Sequence, residues 1–500
     1  MQKHPCRWLS LTLTAVLSAP TLAQAPDWKA FDAYVADAAQ EWGVPGLAIA
    51  VVKDGSTVFA KGYGTTALTS GTVVDEHTLF SIGSTTKAMT AAALGLLVDE
   101  GNVAWDDPVV QHLPSFRLAD DNVTRQLRVR DLLTHNAGVP NTDLLWYEQV
   151  RTTDDILGRM RFVEPVAPPY TTFVYQNVMY AAAGRLTEII SGQSWADFID
   201  ESLFTPLGME RSVALLQRTR QRDNVAEPHH LVDGELVQIE NASVDSVAAA
   251  GSVWSSVAEM AEWAKFLLRG CRTAEGKALL TEATCDELFE PQALIDREMY
   301  PAMRLYENKW FTYGLGWFQT DYNGRNLDFH SGSIDGLIAL HGLVRDEGLG
   351  VIVLANRDHA EVRHALMYRA LDLFDATLDP AERRDWNREI KDLFDGLAAE
   401  ATAPAPGGRA QDPRPPLAHS AYRGTFSDPF LGDVIVSVEG DGLILRFGRQ
   451  TCDLESLGGD IFDCRWQARW RGGGTVSFVA ESPGRIGSVK FAGRELRRRP

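Results

Sequence analysis

Hydrophobic and polar positions along the chain follow two alternating periods. Over residues 28–42 apolar residues recur at helical spacing, and residues 47–52, a Lys-Asp-Gly-Ser turn and residues 57–63 predict a β-hairpin. In the stretch that follows, residues 80–101, the Ala/Leu-rich second half predicts a helix. Gly83 and Ser84 stand at its start and Gly101 at its C-terminal stop. Residues 129–140 read as a short helix running into a Gly/Pro loop, and residues 173–177 as an extended segment leading into a helix over 178–191. Ser256-Val-Ala-Glu259 has the form of a capping box opening a helix through Leu268. Residues 270–310 carry little pattern and are expected to form surface loops or a flap. Strand patterns return at 313–318, 326–329, 337–344 and 350–354, and residues 361–374 read as a closing helix. Together these predict an α+β domain, an antiparallel sheet covered by helices.

The pattern changes again near the C-terminus. Residues 398–419 are Ala/Pro/Gly-rich without a period and read as a linker. Beyond them, residues 433–447 alternate around a Glu-Gly-Asp-Gly turn, and residues 477–480 and 487–491 continue the strand pattern. This predicts a small all-β C-terminal domain. At the other end Lys3 and Arg7 precede an apolar run over 8–19 and the small-residue site Thr21-Leu-Ala23. That is the form of a secretory signal peptide cleaved near Ala23, and the run is too short for an ordinary membrane span. The expected division is therefore a signal peptide over 1–23, a main domain over 24–395, a linker over 396–418 and a β-domain over 419–500. Export to the periplasm or medium follows, with no stable membrane span in the mature protein.

Composition is globular, 45% hydrophobic and 23% charged, and the formal charge of -19 argues against a nucleic-acid partner. Cys6 leaves with the signal. Cys271 and Cys285, then Cys452 and Cys464, remain as two local pairs in a chain bound for an oxidising compartment. Two disulfides are expected, with four free thiols as the alternative. No Cys or His cluster has metal-ligand spacing: His229-His230 and His359…His364 lack the paired His-Glu arrangement of a metallohydrolase. Neither a metal nor a cofactor is expected.

Candidate chemistry centres on Ser84 and Lys87. Three residues apart at the start of a helix, they share a face, and the positive helix end favours developing negative charge. One or two Ser-x-x-Lys pairs arise by chance in a chain this long, so partners must carry the argument. Tyr175-Gln-Asn177 supplies the first. A phenol beside a lysine ammonium is expected to have its pKa lowered, so that Tyr175 relays a proton from Ser84, and Asn177 is placed to hold a substrate amide or carbonyl. Tyr306-Glu-Asn308 repeats the spacing but has no helix after it. His330-Ser331-Gly332 lies on or just after a strand, where small residues let a substrate lie along the edge. The N–H groups of Ser84 and Ser333 are the candidate oxyanion hole. His135, in Leu132-Leu-Thr-His-Asn-Ala-Gly138, is read as a structural histidine bridging backbone groups.

These three motifs, in this order, resemble those of penicillin-recognising serine hydrolases: class C β-lactamases, DD-peptidases and related esterases and D-amino-acid amidases. Leu203-Phe-Thr-Pro-Leu-Gly-Met209 and Tyr313-Gly-Leu-Gly-Trp317 are similar to further signatures of the family, and the likeness spans residues 27–375. The resemblance implies a β-lactamase/transpeptidase-like fold, an antiparallel sheet flanked by helices plus an all-helical region. It also implies an acyl-enzyme on Ser84, with base work shared by Lys87 and Tyr175. Where most β-lactamases carry Lys, this chain has His330, which puts strong β-lactamase activity in doubt. An ester, a D-amino-acid peptide or a β-lactam-like compound is the expected substrate class, with cell-wall-derived peptides among the partners. Were His330 to bind a substrate carboxylate, KM would rise from pH 5 to about 8, where imidazole titrates. The alternatives are a catalytically weak penicillin- or peptidoglycan-binding protein and a true class C-type β-lactamase.

Overall fold

The computed structural model describes residues 26–69, 71–379, 383–401 and 415–500. The stretch read as a signal peptide, with Cys6, and the middle of the stretch read as a linker lie outside the described residues. The helices that position the site are α1 (Trp28–Glu41), α2 (Thr86–Asp99), α3 (Asn177–Ser191), α4 (Val257–Leu268), α5 (Val362–Asp372) and α6 (Trp386–Ala401). The main strands are β1 (Gly46–Lys53), β2 (Ser56–Gly64), β3 (Ala293–Leu294), β4 (Phe311–Tyr313), β5 (Phe318–Tyr322), β6 (Arg325–Ile334), β7 (Leu337–Val344) and β8 (Leu349–Ala355). Among the described residues these strands form one antiparallel sheet in the order β2-β1-β8-β7-β6-β5-β4-β3.

The sheet is covered twice. Leu47, Ile49 and Val51 of β1 share a core with Phe31 and Val35 of α1 and Leu366 and Ala370 of α5. The alternate residues Ala48, Ala50 and Val52 join Met89 and Leu94 of α2, Leu186 of α3 and Met260 of α4. A strand buried on both faces reads as a continuous apolar run, as β1 does. Helix α2 is buried almost all round, including Thr86, Lys87 and Thr90. Its Ala-rich, unpolarised surface is that of a core helix with layers on every side. A lysine in its first turn is therefore forced out of water.

Three sequence expectations change. Residues 270–310 are not a surface flap: Leu280, Leu288, Ala302 and Met303 are fully buried, and Tyr306 packs edge-on against Tyr322 and Tyr368. Short 3-10 turns at Arg297–Met299 and Pro301–Leu305 break the period that a longer element would show. Helix α6 runs to Ala401, into the stretch read as linker from residue 396, because Ala and Glu there favour helix although the composition around them is Pro-rich. Ser256 accepts the Glu259 N–H at 3.3 Å, but the Glu259 carboxylate turns away to the N–H groups of Arg211 and Ser212, both at 2.7 Å.

Strands from Gly424 to Arg498 close into a barrel, Phe426 on the first pairing with Arg498 on the last. Disulfides join Cys271 to Cys285 (Cα–Cα 5.9 Å) and, inside the barrel, Cys452 to Cys464 (5.4 Å). The barrel docks on residues 145–159 of the main domain. Arg159 Nη1 donates to Pro429 O at 2.7 Å and Phe430 O at 2.9 Å, and Arg151 bonds the Leu431 carbonyl.

Candidate active site

Ser84 sits in a 3-10 turn, Gly83–Thr85, that leads directly into α2. One turn on, the Lys87 side chain is fully buried, with three oxygens around its Nζ: Ser84 Oγ at 3.0 Å, Asn177 Oδ1 at 2.8 Å and the Ala250 carbonyl at 2.8 Å. Its ammonium lies 4.8 Å from the Tyr175 ring centre and 5.2 Å from that of Tyr180. Burial pulls the Lys87 pKa down to about 7, against the opposing pull of Asp143. At neutral pH much of this lysine is a free amine. Two of its N–H groups are then committed to Asn177 and Ala250, and the lone pair faces the Ser84 hydroxyl.

Tyr175 departs from the sequence expectation. Its pKa is raised well above the ordinary value because it is fully buried, and the neighbouring Ser84 hydroxyl offsets this only in part. Phenol and amine thus move in opposite senses, since desolvation disfavours whichever form is charged. Tyr175 stays a neutral donor and Lys87 becomes the basic group. His135 fixes the tyrosine from behind: its Nδ1 accepts the Gln176 N–H at 3.1 Å and its ring lies 4.2 Å from the Tyr175 ring. Asn177, expected to hold substrate, has its oxygen occupied by Lys87. Its Nδ2 donates to Asp143 at 3.0 and 3.2 Å, so in this state it aligns the amine.

The third motif lies on β6. A Cβ placed on Gly332 would stand 2.0 Å from Ile82 O and 2.9 Å from Ser84 N, and one on Gly83 (φ +50°) would stand 2.6 Å from Ser333 N. Only glycine permits this contact, which packs the Gly332–Ser333 backbone directly against the Gly83–Ser84 turn. Arg363, paired with Glu361 at 2.8 Å, donates to Gly332 O at 2.5 Å and to Ser333 Oγ at 2.9 Å. Because C=O and N–H of a trans peptide point opposite ways, holding Gly332 O from behind turns the Ser333 N–H toward Ser84. Ser331 Oγ accepts from Tyr300 at 3.1 Å and is held against β6.

His330 does not face the cleft as a titrating cation. Its Nδ1 donates to Ser331 O at 2.7 Å, its Nε2 accepts from the Tyr313 hydroxyl at 2.9 Å, and the ring packs against Phe318 at 5.0 Å. Burial, reinforced by Lys87, brings its pKa down to about 3. The expected rise in KM between pH 5 and 8 is thereby corrected. The ratio of KM for a carboxylate-bearing substrate to that for its uncharged analogue is predicted to stay flat over that range, because the imidazole is neutral throughout. Steady-state kinetics at half-unit pH steps checks this, and a ratio climbing with an imidazole midpoint would restore the charged role.

Sequence reasoning missed several residues. Asp143, in a short turn at Asp143–Leu145, orients Asn177 and also accepts Trp146 Nε1 at 2.8 Å. No motif marks it. Arg363 and Tyr300 lie far along the chain. A cavity of about 300 Å³ opens beside Ser333, walled by Trp146, Tyr147 and Asp335 and, from the barrel, Trp470 and Arg471. Tyr147 donates to Asp335 at 2.6 Å, and Arg471 bonds Glu148 at 2.7 Å and Asp335 at 3.4 Å. The look-alike Tyr306 belongs to the core.

In an α+β fold of this topology, a serine facing a buried amine and two convergent backbone N–H groups is the arrangement of a serine hydrolase. The chain belongs to the Beta-lactamase family, whose model matches residues 31–376, and residues 408–499 match a domain of unknown function, DUF3471. An unguisins hydrolase of Aspergillus violaceofuscus is 30% identical over 82% of this chain and 76% of its own length. Penicillin-binding protein 4 of Amycolatopsis lactamdurans is 29% identical over 52% of this chain and 67% of its own. The structure of the octameric penicillin-binding protein homologue from Pyrococcus abyssi superposes with a TM-score of 0.64 at 23% identity, covering 94% of this chain and 99% of that one. The protein is thus a β-lactamase-fold hydrolase with a C-terminal all-β barrel.

Proposed function

We propose that this chain is an exported enzyme that forms an acyl-enzyme on Ser84 and hydrolyses an ester or amide of a peptide-like substrate, D-configured residues being preferred at the cleaved bond. The observation that carries the reading is the Lys87 amine, buried, pulled down to about 7 and 3.0 Å from Ser84 Oγ. Lys87 takes the Ser84 proton as the hydroxyl oxygen attacks the carbonyl carbon. The N–H groups of Ser84 and Ser333 receive the developing oxyanion. The neutral Tyr175 gives a proton to the departing amine or alcohol, and the proton on Lys87 makes good that loss. Water then attacks the ester carbonyl by the same route reversed, releasing the acid and restoring Ser84.

The D-preference and the peptide-like class rest on the resemblance of the three motifs to those of DD-peptidases and D-amino-acid amidases; a penicillin-binding protein and an unguisins hydrolase are among the relatives. Matched D- and L-aminoacyl p-nitroanilides, a p-nitrophenyl ester and a fluorescent penicillin, each offered to the mature protein, test it. Faster turnover of the D-compounds, with penicillin released slowly, is expected. Preference for the L-series, or turnover of penicillin faster than of any amide or ester, contradicts the substrate reading.

A further inference from the structure

Three chelating side chains from two distant segments of the chain meet at the rim of the cavity beside Ser333. His230 belongs to the strand His229–Val232, while Asp358 and His359 follow β8. Backbone bonds staple these segments together and to the β6–β7 turn: Asp358 N donates to His229 O at 2.9 Å, and His229 N to Gly336 O at 3.3 Å. The ligand atoms of His230, Asp358 and His359 all lie within 4.8 Å of one another, and His230, Asp358 and His359 also line the cavity that reaches Ser333.

The proton positions make this a cation-binding arrangement. His230 Nδ1 donates to Leu231 O at 3.0 Å, so in the neutral ring Nε2 carries the lone pair, and it faces Asp358 Oδ2 at 3.0 Å. His359 Nδ1 is in contact with the same carboxylate oxygen. Asp358 Oδ1 is fixed from the other side by the Gly336 N–H at 3.1 Å. The His230 lone pair thus faces a carboxylate oxygen, which a positive charge between them, as a proton or a metal ion, makes favourable, and His359 meets the same oxygen from the exposed side. The outer hydrogen bonds on His230 Nδ1 and Asp358 Oδ1 are of the kind that orient metal ligands. The neighbouring charges are already matched: Glu361 pairs with Arg363, and Arg471 with Glu148 and Asp335.

We infer that His230, Asp358 and His359 bind a divalent transition metal of the zinc class, with its fourth coordination position open to the cavity. Two nitrogens and one carboxylate oxygen suit Zn²⁺, and three protein ligands leave a place for water or a substrate oxygen. Tetrahedral bonds of about 2.0–2.1 Å need donor atoms roughly 3.3 Å apart; His230 Nε2 and Asp358 Oδ2 stand 3.0 Å apart, and all three donor atoms lie within 4.8 Å of one another. The His359 side chain is 82% exposed and that of Asp358 6%, so one ligand is anchored and another is free to adjust. Spacing along the chain sets His230 and His359 aside, because the set's members come from two separated segments rather than one spaced motif.

The test uses the mature protein without an affinity tag, stripped with chelator, and titrated with ZnCl₂ by calorimetry and with CoCl₂ by visible absorption. One equivalent is expected to bind, Co²⁺ giving the intense bands of a four-coordinate site. His359→Ala and His230→Ala are each expected to weaken binding by at least about tenfold. His359 is exposed, so its variant keeps the fold, which an unchanged melting temperature verifies. Substitution of His77 or His112, which stand beside Glu76 and Asp107, should leave the titration unchanged. No saturable binding, or binding that survives His359→Ala and His230→Ala, overturns the inference. Because metal is read without substrate, that result would leave the acyl-enzyme reading untouched.

Discussion

Lys87→Met is expected to lower kcat/KM by about 10³-fold or more, at the upper end of what general-base catalysis contributes. Methionine matches the length of the stem and suits the fully buried setting of the first turn of α2. What it removes is the lone pair facing Ser84 Oγ and the donors to Asn177 Oδ1 and Ala250 O. Leaving those two acceptors unpaired costs about 1–3 kcal/mol each, offset by the relief of burying an amine, so a modest change in melting temperature accompanies the loss of activity. The pH profile gives the same residue a second signature. The protonated amine has no lone pair, so wild-type kcat/KM is expected to rise about tenfold per pH unit below the Lys87 pKa of about 7 and to level off above it. Lys87→Met should lack that limb. A wild-type profile flat from pH 5 to about 8 would remove Lys87 as the base.

Gly332→Ala is expected to cost about 10²–10³-fold in kcat, the usual price of one oxyanion donor. The added methyl would stand 2.0 Å from Ile82 O and 2.9 Å from Ser84 N, both backbone atoms that cannot swing aside. The strand must move off the Gly83–Ser84 turn, separating the two N–H groups, and the core strain adds a destabilisation of about 1–3 kcal/mol. The loss should fall on kcat more than on KM, because the oxyanion exists only in the transition state. Kinetics beside a thermal melt separates the two effects. Near wild-type kcat in a folded Gly332→Ala would place the oxyanion donors elsewhere.

Features that depend on local chain geometry were legible before the fold. The β1–β2 hairpin follows from alternation around Lys-Asp-Gly-Ser, and Ser84 and Lys87 meet because a helical turn brings positions three apart together. Features that depend on what the tertiary structure buries were not. A phenol next to an ammonium suggests a lowered pKa, yet with both groups out of water desolvation dominates and Tyr175 goes up while Lys87 comes down. His330 is recognisable as the first residue of a motif, but only the strand's register and the aromatic wall of Tyr313 and Phe318 decide that its ring turns inward. Asp143 and Arg363 act through Asn177 and Gly332, each reaching the chemistry across more than 30 residues, where no spacing rule operates. Trp470 and Arg471 approach the cavity because a separate barrel docks there, and the arginines that hold it lie among residues 145–159, where the hydrophobic pattern is weak.

The central claim is a covalent intermediate on Ser84. The measurement that tests it most directly is peptide mapping by mass spectrometry of the mature protein, quenched in acid within seconds of mixing with a p-nitrophenyl ester or a fluorescent penicillin. An added acyl mass is expected on the peptide carrying Ser84, gone in Ser84→Ala together with turnover. An adduct on another residue, or turnover by Ser84→Ala at the wild-type rate, would contradict it.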